Sequence, residues 1–372
     1  MRRRDLLASG ALGLIGGLLP RKAGAEGGLA VQMTTPQDLA STLDDYTSVL
    51  TPTEHFFVRS HFGAPAFKPE RKLRIAGKKQ TLELSARDLL AMPQATQVAV
   101  LQCAGNGRSL QAPRVPGLQW IHGAMGQAEW RGVRLKDLLE KVGVAADHQH
   151  VKIQGADLPP KPAVPAYVRS IPLAKAMDPA TLVATHMNGK PLPQAHGAPF
   201  RLIVPGWSGN HWMKWLRHVQ PQAAEAEGFY QATGYRVPKG PTRPGEAVKP
   251  ADTTPATTIP IKSVIARPGQ GGVVKPGRAE IVGVAFSGEA AIAKVEVSLD
   301  GGKSWQPAQL EGEPGVGRWQ VFKLAFQAKP GELRAVARAF DVKGVAQPES
   351  AAWNPSGYFW NGWHAVSFKV QS

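Results

Sequence analysis

The chain has 372 residues, too many for one ordinary hydrophobic core, so two domains are expected; 43% hydrophobic and 19% charged residues make it globular, and 40 glycines and 32 prolines favour turns and short strands. A net charge of +16 suits an anionic substrate, a phosphate-bearing cofactor, an acidic partner or a plain basic surface, while dispersed basic residues without a binding motif argue against nucleic acid. One cysteine excludes an internal disulfide and any multi-cysteine zinc or iron–sulfur site.

Residues 1–25, "MRRRDLLASGALGLIGGLLPRKAGA", read as an export signal. Arg3, Arg4, Asp5, Leu6 and Leu7 have the twin-arginine form, and "AGA" supplies small residues for cleavage after Ala25. The apolar run from Leu6 to Leu19 is too short to span a membrane comfortably, and Arg21 and Lys22 behind it suit the Tat route rather than Sec. An uncleaved anchor is the alternative. The expectation is a periplasmic protein that receives its cofactor before Tat export.

Next, "TTPQDLASTLDDY" places Thr35 as an N-cap, Pro36 at N1 and Asp38 at N3. Leu39, Leu43 and Tyr46 follow at helical spacing, so the pattern predicts a short helix. "SARDLLAMP" repeats the capping pattern from Ser85 and is stopped by Pro93. "RLKDLLEKVGV" puts Leu135, Leu138, Leu139 and Val142 on one face and ends at Gly143. Strand-like runs lie between and beyond: "QVAVLQC" (97–103), "HVKIQGA" (150–156) and "FRLIVPG" (200–206). This order predicts an α+β domain over 26–250.

Between Gly234 and Pro260 six prolines make a linker, or an extended strap over the first domain. Beyond it the period becomes two: Val295, Val297 and Leu299 alternate with Lys294, Glu296 and Ser298, and Asp300, Gly301 and Gly302 form a turn. "RWQVFKLAF" and "LRAVARAFD" alternate as well. An all-β, immunoglobulin-like sandwich over 251–372 follows.

Three segments carry candidate chemistry. In "LQCAGNGRS", Cys103 ends a strand before Gly105 and Gly107, which allow close approach of a bulky ligand, and before Arg108, which together with a nearby helix start would favour the thiolate. A buried core thiol, a single soft ligand to a metal, and a Cys–His nucleophile are all open from these residues, although no protease signature surrounds the cysteine. In "EHFFVRSHFG", Arg59 and His61 are two apart and share a face if extended; they suit a phosphate or sulfur oxyanion, or a structural ion pair. "HGAPFRLIVPGWSGNHWMKWL" adds His196, Arg201 and Lys214 among glycines and tryptophans. Together the three segments suggest a pocket for a large anionic cofactor. No nucleotide-binding glycine motif and no C-x-x-C-H haem site is present.

These segments closely resemble the sulfite oxidase family of molybdenum enzymes. "LQCAGNGRS" is similar to that family's cysteine loop, and "FFVRSH", "SIPLAKAMDP", "MNGKPLPQAHGAPFRLIVPG" and "MKWL" follow in the family's order. The proline strap and the β-rich C-terminal region resemble its dimerisation domain. The resemblance implies a sulfite-oxidase-type molybdopterin-binding domain and a molybdenum–molybdopterin cofactor with Cys103 as the metal's thiolate ligand. It implies that Phe57, Val58, Arg59, Ser60, His61, Asp157, His196, Arg201, Trp212, Met213 and Lys214 hold the pterin and its phosphate, with Asp157 at an altered spacing before "SIPL". Tyr235 falls at the active-site tyrosine, and Arg59, Arg108 and Trp120 at the substrate lining.

The implied reaction is oxidation of sulfite to sulfate by oxygen-atom transfer, with electrons leaving one at a time. The chain leaves no room for the cytochrome b5-like domain of animal members and carries no haem of its own. The expected acceptor is therefore a separate periplasmic cytochrome c, and a homodimer is expected by the same resemblance. Ser356 stands where sulfite oxidases place a further substrate arginine, which opens a carrier-bound sulfane as the alternative substrate. A sulfoxide reductase and a plant-type nitrate reductase fit less well: relatives of the first kind lack the sandwich expected after residue 260, and the second needs haem and flavin modules not seen in this sequence. A non-enzymatic exported binding protein, with the sandwich as its working module, is the reading from a different class.

Overall fold

The structure is a computed structural model that describes residues 25–26 and 28–371. The expected export signal, except Ala25, lies outside the described residues. Strands dominate: the four α-helices among the described residues are four to eight residues long.

The helix expected from Thr35 to Tyr46 is instead a hairpin of Leu29–Thr34 and Gln37–Ala40 followed by a 3-10 turn, Leu43–Thr47. Tertiary pairing overrides the local capping signal. Leu39 exchanges two backbone hydrogen bonds of 2.9 Å with Val58, and the Asp38 carboxylate accepts from the Ser60 N–H at 3.0 Å rather than serving a helix start. Tyr46 still turns inward, its hydroxyl donating toward the carbonyls of Met125 and His122 at 3.0 and 3.1 Å.

The other two helices form as their sequence directs. Ala86–Leu90 starts at a reciprocal cap between Ser85 and Asp88. Leu135–Val142 buries the four apolar residues of its stripe and ends at Gly143. Both pack beside two five-stranded sheets. In one, Ala95–Gln102 pairs with Met125–Arg134, which pairs with Leu182–Met187, which carries Arg201–Ile203 and Lys190–Pro191. In the other, Thr81–Leu84, Leu73–Ala76, Leu216–Gln222, His150–Gly155 and Val168–Pro172 lie in that order. One apolar core, including Leu101, Trp130, Leu138, Ile153, Leu202 and Val219, joins these sheets.

The proline-rich strap is partly strand: Arg236–Pro238 pairs with Thr253–Pro255. After it come two sheets, one of four strands from Lys262–Arg267 to Gln309–Glu311, and one of five in which His364–Val370, Gly331–Asp341 and Ile292–Ser298 are neighbours. Residues of both sheets, among them Ile265, Phe322, Val295 and Val366, share a second core. Val295 and Val297 point inward and Lys294 outward, as the period-two pattern requires. Ser298 departs from the alternation: it is buried, and its hydroxyl donates to Asp300 and accepts from the Gly302 N–H, fixing the turn.

The two halves are packed tightly together. The Gln127 side chain acts like a length of strand, accepting from the Trp319 N–H at 2.7 Å and donating to the Trp319 and Val49 carbonyls at 3.1 and 2.9 Å. Around it Val100 and Met125 of the first half meet Ile259, Val264, Phe286 and Trp319 of the second.

One buried cluster at this seam carries a cost. Lys262 is fully buried, its ammonium has no hydrogen-bond partner, and it lies 5.3 Å from the Trp360 ring centroid. His122 and His364 meet edge to face beside it, their ring centroids 4.3 Å apart. Burial pulls Lys262 down to about 7 and His364 to about 4. The unfolded chain holds the lysine proton more tightly than the folded one, so this group's stability contribution is lost as pH falls from the ordinary lysine range toward 7. We therefore expect Lys262→Met to stabilise the protein at pH 7 by about 2–4 kcal/mol, and by less at pH 10, in thermal unfolding at the two pH values.

Candidate active site

The strand Ala95–Gln102 delivers Cys103 at its end, where the Cys103 N–H still bonds the Ala124 carbonyl at 2.9 Å. The chain then turns tightly. Asn106 N–H bonds the Cys103 carbonyl, and the Asn106 side chain bridges Gln102 and the Ala124 N–H. Gly107 has φ +94°, and a Cβ there would stand 2.7 Å from Trp360 Cβ, so only glycine lets the loop sit against Trp360. The expected helix start after the cysteine is a single 3-10 turn, Arg108–Leu110, too short to act as a dipole. Burial pushes the Cys103 thiol up; Arg59, the Gly105 N–H and Arg108 oppose that shift.

Cys103 stands between two chambers. One is the deeper and the other the outer, and Arg59, His61, Cys103 and Tyr235 line both. Phe57, Ser60, Asp157, His196, Arg201, Trp212, Met213 and Lys214 line the deeper chamber alone. Arg108 and Trp120 line the outer one alone. Of the residues expected at the site, Val58 is the one whose side chain reaches neither: it packs on Leu29 and Leu39, while its backbone pairs with Leu39.

The floor of the deeper chamber is cationic. Arg201, 2% exposed, donates to the carbonyls of His196 and Trp212, lies over the Trp130 and Trp212 rings, and has no partner for its Nε. Burial lowers it to about 9. Lys214 donates to the Ala195 carbonyl at 2.9 Å, and burial reinforced by Arg201 lowers it to about 7. Asp157 is the carboxylate lining this chamber, and burial raises it to about 6. An anionic group bound here would offset the cost of burying these cations and favour the charged form of Lys214. A soft thiol above a buried cationic floor fits a pterin cofactor that carries a phosphate and a thiophilic metal. Among the described residues no cluster of three or more His, Cys, Asp or Glu side chains competes as a metal site.

At the junction, His61 Nε2 lies 2.6 Å from the Tyr235 hydroxyl, and Arg59 Nη2 lies 3.4 Å from His61 Nδ1. Arginine can only donate, so Nδ1 accepts and Nε2–H is turned to Tyr235. Burial and Arg59 hold His61 down at about 3, which leaves it neutral at ordinary pH. Burial likewise keeps Tyr235 protonated. Tyr235 is held at φ +55°, a strained conformation for a non-glycine residue, and its carbonyl accepts from Ala256 N–H at 2.7 Å.

Several residues of the site went unread in the sequence. Asp38, 0% exposed, faces Arg59 at 3.5 Å. Tyr167 and Tyr230 set their rings 5.0 and 4.8 Å from His61, and Tyr358 stacks on Tyr235 at 5.6 Å and 8°. Arg169, fully buried, lies 5.7 Å from the Tyr235 ring and donates to the Tyr230 carbonyl. One signal was available: the chain holds five tyrosines, and four of them meet here.

Comparison with known proteins agrees with this geometry. The oxidoreductase molybdopterin binding domain matches residues 61–230, and the Mo-co oxidoreductase dimerisation domain matches residues 254–371. Mitochondrial sulfite oxidase of Mus musculus is 38% identical over 86% of this chain, which spans 62% of that relative. Sulfite oxidase of Gallus gallus is 37% identical over 85% of this chain and 72% of its own. The crystal structure of the sulfane dehydrogenase SoxCD from Paracoccus pantotrophus superposes with a TM-score of 0.78 at 26% identity, covering 98% of this chain and 96% of that one. A cysteine at the meeting of a cationic chamber and an arginine-lined one, on this fold and at these identities, places the chain in the sulfite oxidase family, with molybdopterin as its cofactor.

Proposed function

We propose that this oxidoreductase converts sulfite and water to sulfate, releasing two protons and two electrons. The observation that carries the reading is the outer chamber: Cys103 at its inner end, Arg59 and Arg108 in its wall, and no carboxylate among its lining residues. Such a chamber attracts a small dianion and rejects cations. When bound, the molybdenum cofactor supplies a two-electron centre capable of oxygen-atom transfer. Cys103 would hold the metal, while Arg201, Lys214 and His196 would hold the pterin and its phosphate. Arg59 and Arg108 place the substrate's oxygens, and Trp120, 1% exposed, keeps the wall rigid. The neutral His61 and protonated Tyr235 keep a donor hydroxyl at the junction of the chambers.

The division at 250/251, the immunoglobulin-like character of the second unit and a homodimer formed through it belong to the same proposal, supported by the match of residues 254–371 to a dimerisation domain. Electrons would pass singly to a separate cytochrome c, and the twin-arginine pattern supports a periplasmic site of action after Tat export. A carrier-bound sulfane is the second reading. Ser356 supports it, and the structural likeness to a sulfane dehydrogenase is in keeping with it. Steady-state assays of the molybdenum-loaded protein with ferricyanide or cytochrome c should show turnover with sulfite; turnover with thiosulfate or a protein-bound sulfane alone would replace sulfite by the second substrate.

A further inference from the structure

Tyr358 stands apart from the other aromatic residues of the site. It arrives from the C-terminal half, on a segment pinned at every step. The Ser356 carbonyl accepts from Arg108 Nε at 3.0 Å. Tyr358 N–H donates to the Asn354 side chain at 3.0 Å, and the Asn354 amide donates back to the Tyr358 carbonyl at 2.8 Å. Phe359 N–H donates to the Ala104 carbonyl, one residue beyond Cys103, at 2.9 Å.

Both neighbours of Tyr358 are left-handed. Gly357 has φ +61°, where a Cβ would stand 2.4 Å from Val115 and 2.7 Å from Arg108 Cγ; Phe359, which is not glycine, also has φ +61°. Glycine adopts this conformation freely, but for Phe359 it is a cost that the surrounding contacts must offset, and strain of this kind concentrates where a side chain must be aimed. The ring is held by both its neighbours: Tyr235 stacks on it at 5.6 Å, and the Arg108 guanidinium lies 5.2 Å from its centroid.

What is left over is the hydroxyl. Among the described residues it makes no hydrogen bond, although the side chain is largely enclosed and lines the outer chamber. A half-buried hydroxyl normally finds a partner. Its electrostatic neighbours are Arg108, Cys103, Arg169 and Arg59, and burial keeps it protonated. It is therefore a neutral donor, without a protein acceptor, in a chamber walled by cations.

We propose that Tyr358 is a substrate-binding and specificity-determining residue, its hydroxyl donating to an oxygen of the sulfur oxyanion that Arg59 and Arg108 hold. This rests on the sulfite reading above. It gives the chamber a further donor that, like Tyr235, adds no charge, so the anion is gripped by direction as well as by Coulomb attraction. The C-terminal half thereby supplies part of the binding site.

Tyr358→Phe keeps the stack between Tyr235 and Arg108 and removes one oxygen. On the molybdenum-loaded protein, it should raise KM for sulfite about tenfold, with a smaller fall in kcat, and weaken product inhibition by sulfate to a similar degree. Sulfate binding by calorimetry gives the same comparison without turnover. Tyr358→Leu, which loses ring and hydroxyl together, should match the KM change of Tyr358→Phe and lower kcat further through the unsupported Tyr235. Unchanged KM and sulfate affinity in Tyr358→Phe, with both altered only in Tyr358→Leu, would make the ring a structural prop and sink the proposal. A wild-type protein that neither oxidises sulfite nor binds sulfate would overturn the sulfite reading itself, and this assignment with it.

Discussion

Cys103→Ser should fold as the wild type does and oxidise sulfite at least about a thousandfold more slowly, because the thiolate is a far better ligand for a soft metal than a serine oxygen that keeps its proton near neutral pH. The local frame does not depend on sulfur. The Cys103 N–H and carbonyl are engaged through the backbone, the Asn106 side chain ties the loop at both ends, and Gly107 fits against Trp360 whatever occupies position 103. The cationic floor, Arg201 and Lys214, belongs to other segments and is untouched. The melting temperature should therefore stay within a few degrees while turnover is lost. A Cys103→Ser enzyme retaining more than a tenth of wild-type kcat would remove the cysteine from the metal's coordination.

The second large effect belongs to Arg59. Its guanidinium serves the outer chamber and also faces Asp38, which is fully buried and has one oxygen with no hydrogen-bond donor. Arg59→Gln should raise KM for sulfite by about a hundredfold through loss of a charged contact to the anion. It should also destabilise the fold by about 2–4 kcal/mol, because a buried carboxylate loses its counter-charge. The two losses can be separated. Asp38→Asn added to Arg59→Gln should restore most of the stability and none of the affinity.

The pH dependence gives a further check. Burial already raises the Asp38 pKa in the folded state, with Arg59 the leading opposing influence, so removing Arg59 raises it more. A carboxyl whose folded pKa lies above its unfolded value contributes stability at low pH and loses it as pH rises through the folded pKa. The gap in melting temperature between Arg59→Gln and wild type should accordingly be wider at pH 7 than at pH 5. Equal gaps at the two pH values would show that Asp38 is not the group left unpaired, and an unchanged KM would remove Arg59 from the substrate contact.

Much of the site could be read in the sequence because its key pieces are contiguous. Cys103 through Arg108 form one loop, and His196, Arg201 and Lys214 lie within twenty residues. The reciprocal cap of Ser85 and Asp88 and the stripe of Leu135–Val142 were legible for the same reason, since their determinants are local. Asp38 was misread because a Pro–Gln–Asp run after threonine is a good helix start taken alone, and it is the hairpin with Leu29–Thr34, reinforced by the bridge from Leu39 to Val58, that makes it strand. Val58 was swept into the site by its neighbours, although in extended chain it points away from Arg59. Tyr167, Tyr230 and Tyr358 converge from positions nearly two hundred residues apart, and no local pattern encodes that meeting. The outcome rests on the seam, where Gln127 and Trp319 lock the halves in register.

That seam also bears on how such a protein can diverge. Gene fragments are most easily exchanged at an exposed strap, here between Arg236–Pro238 and Thr253–Pro255. A crossover there would replace the second half as a block, and with it the Ser356 carbonyl that orients Arg108 and the ring that backs Tyr235. The cysteine loop and the cationic floor would be inherited intact, but one wall of the outer chamber would come from another lineage. Recombination at the strap would thus rebuild one wall of the outer chamber while conserving the cysteine loop and the cationic floor, so on the proposal made above a family built on this plan could acquire new substrates without relearning how to hold its metal.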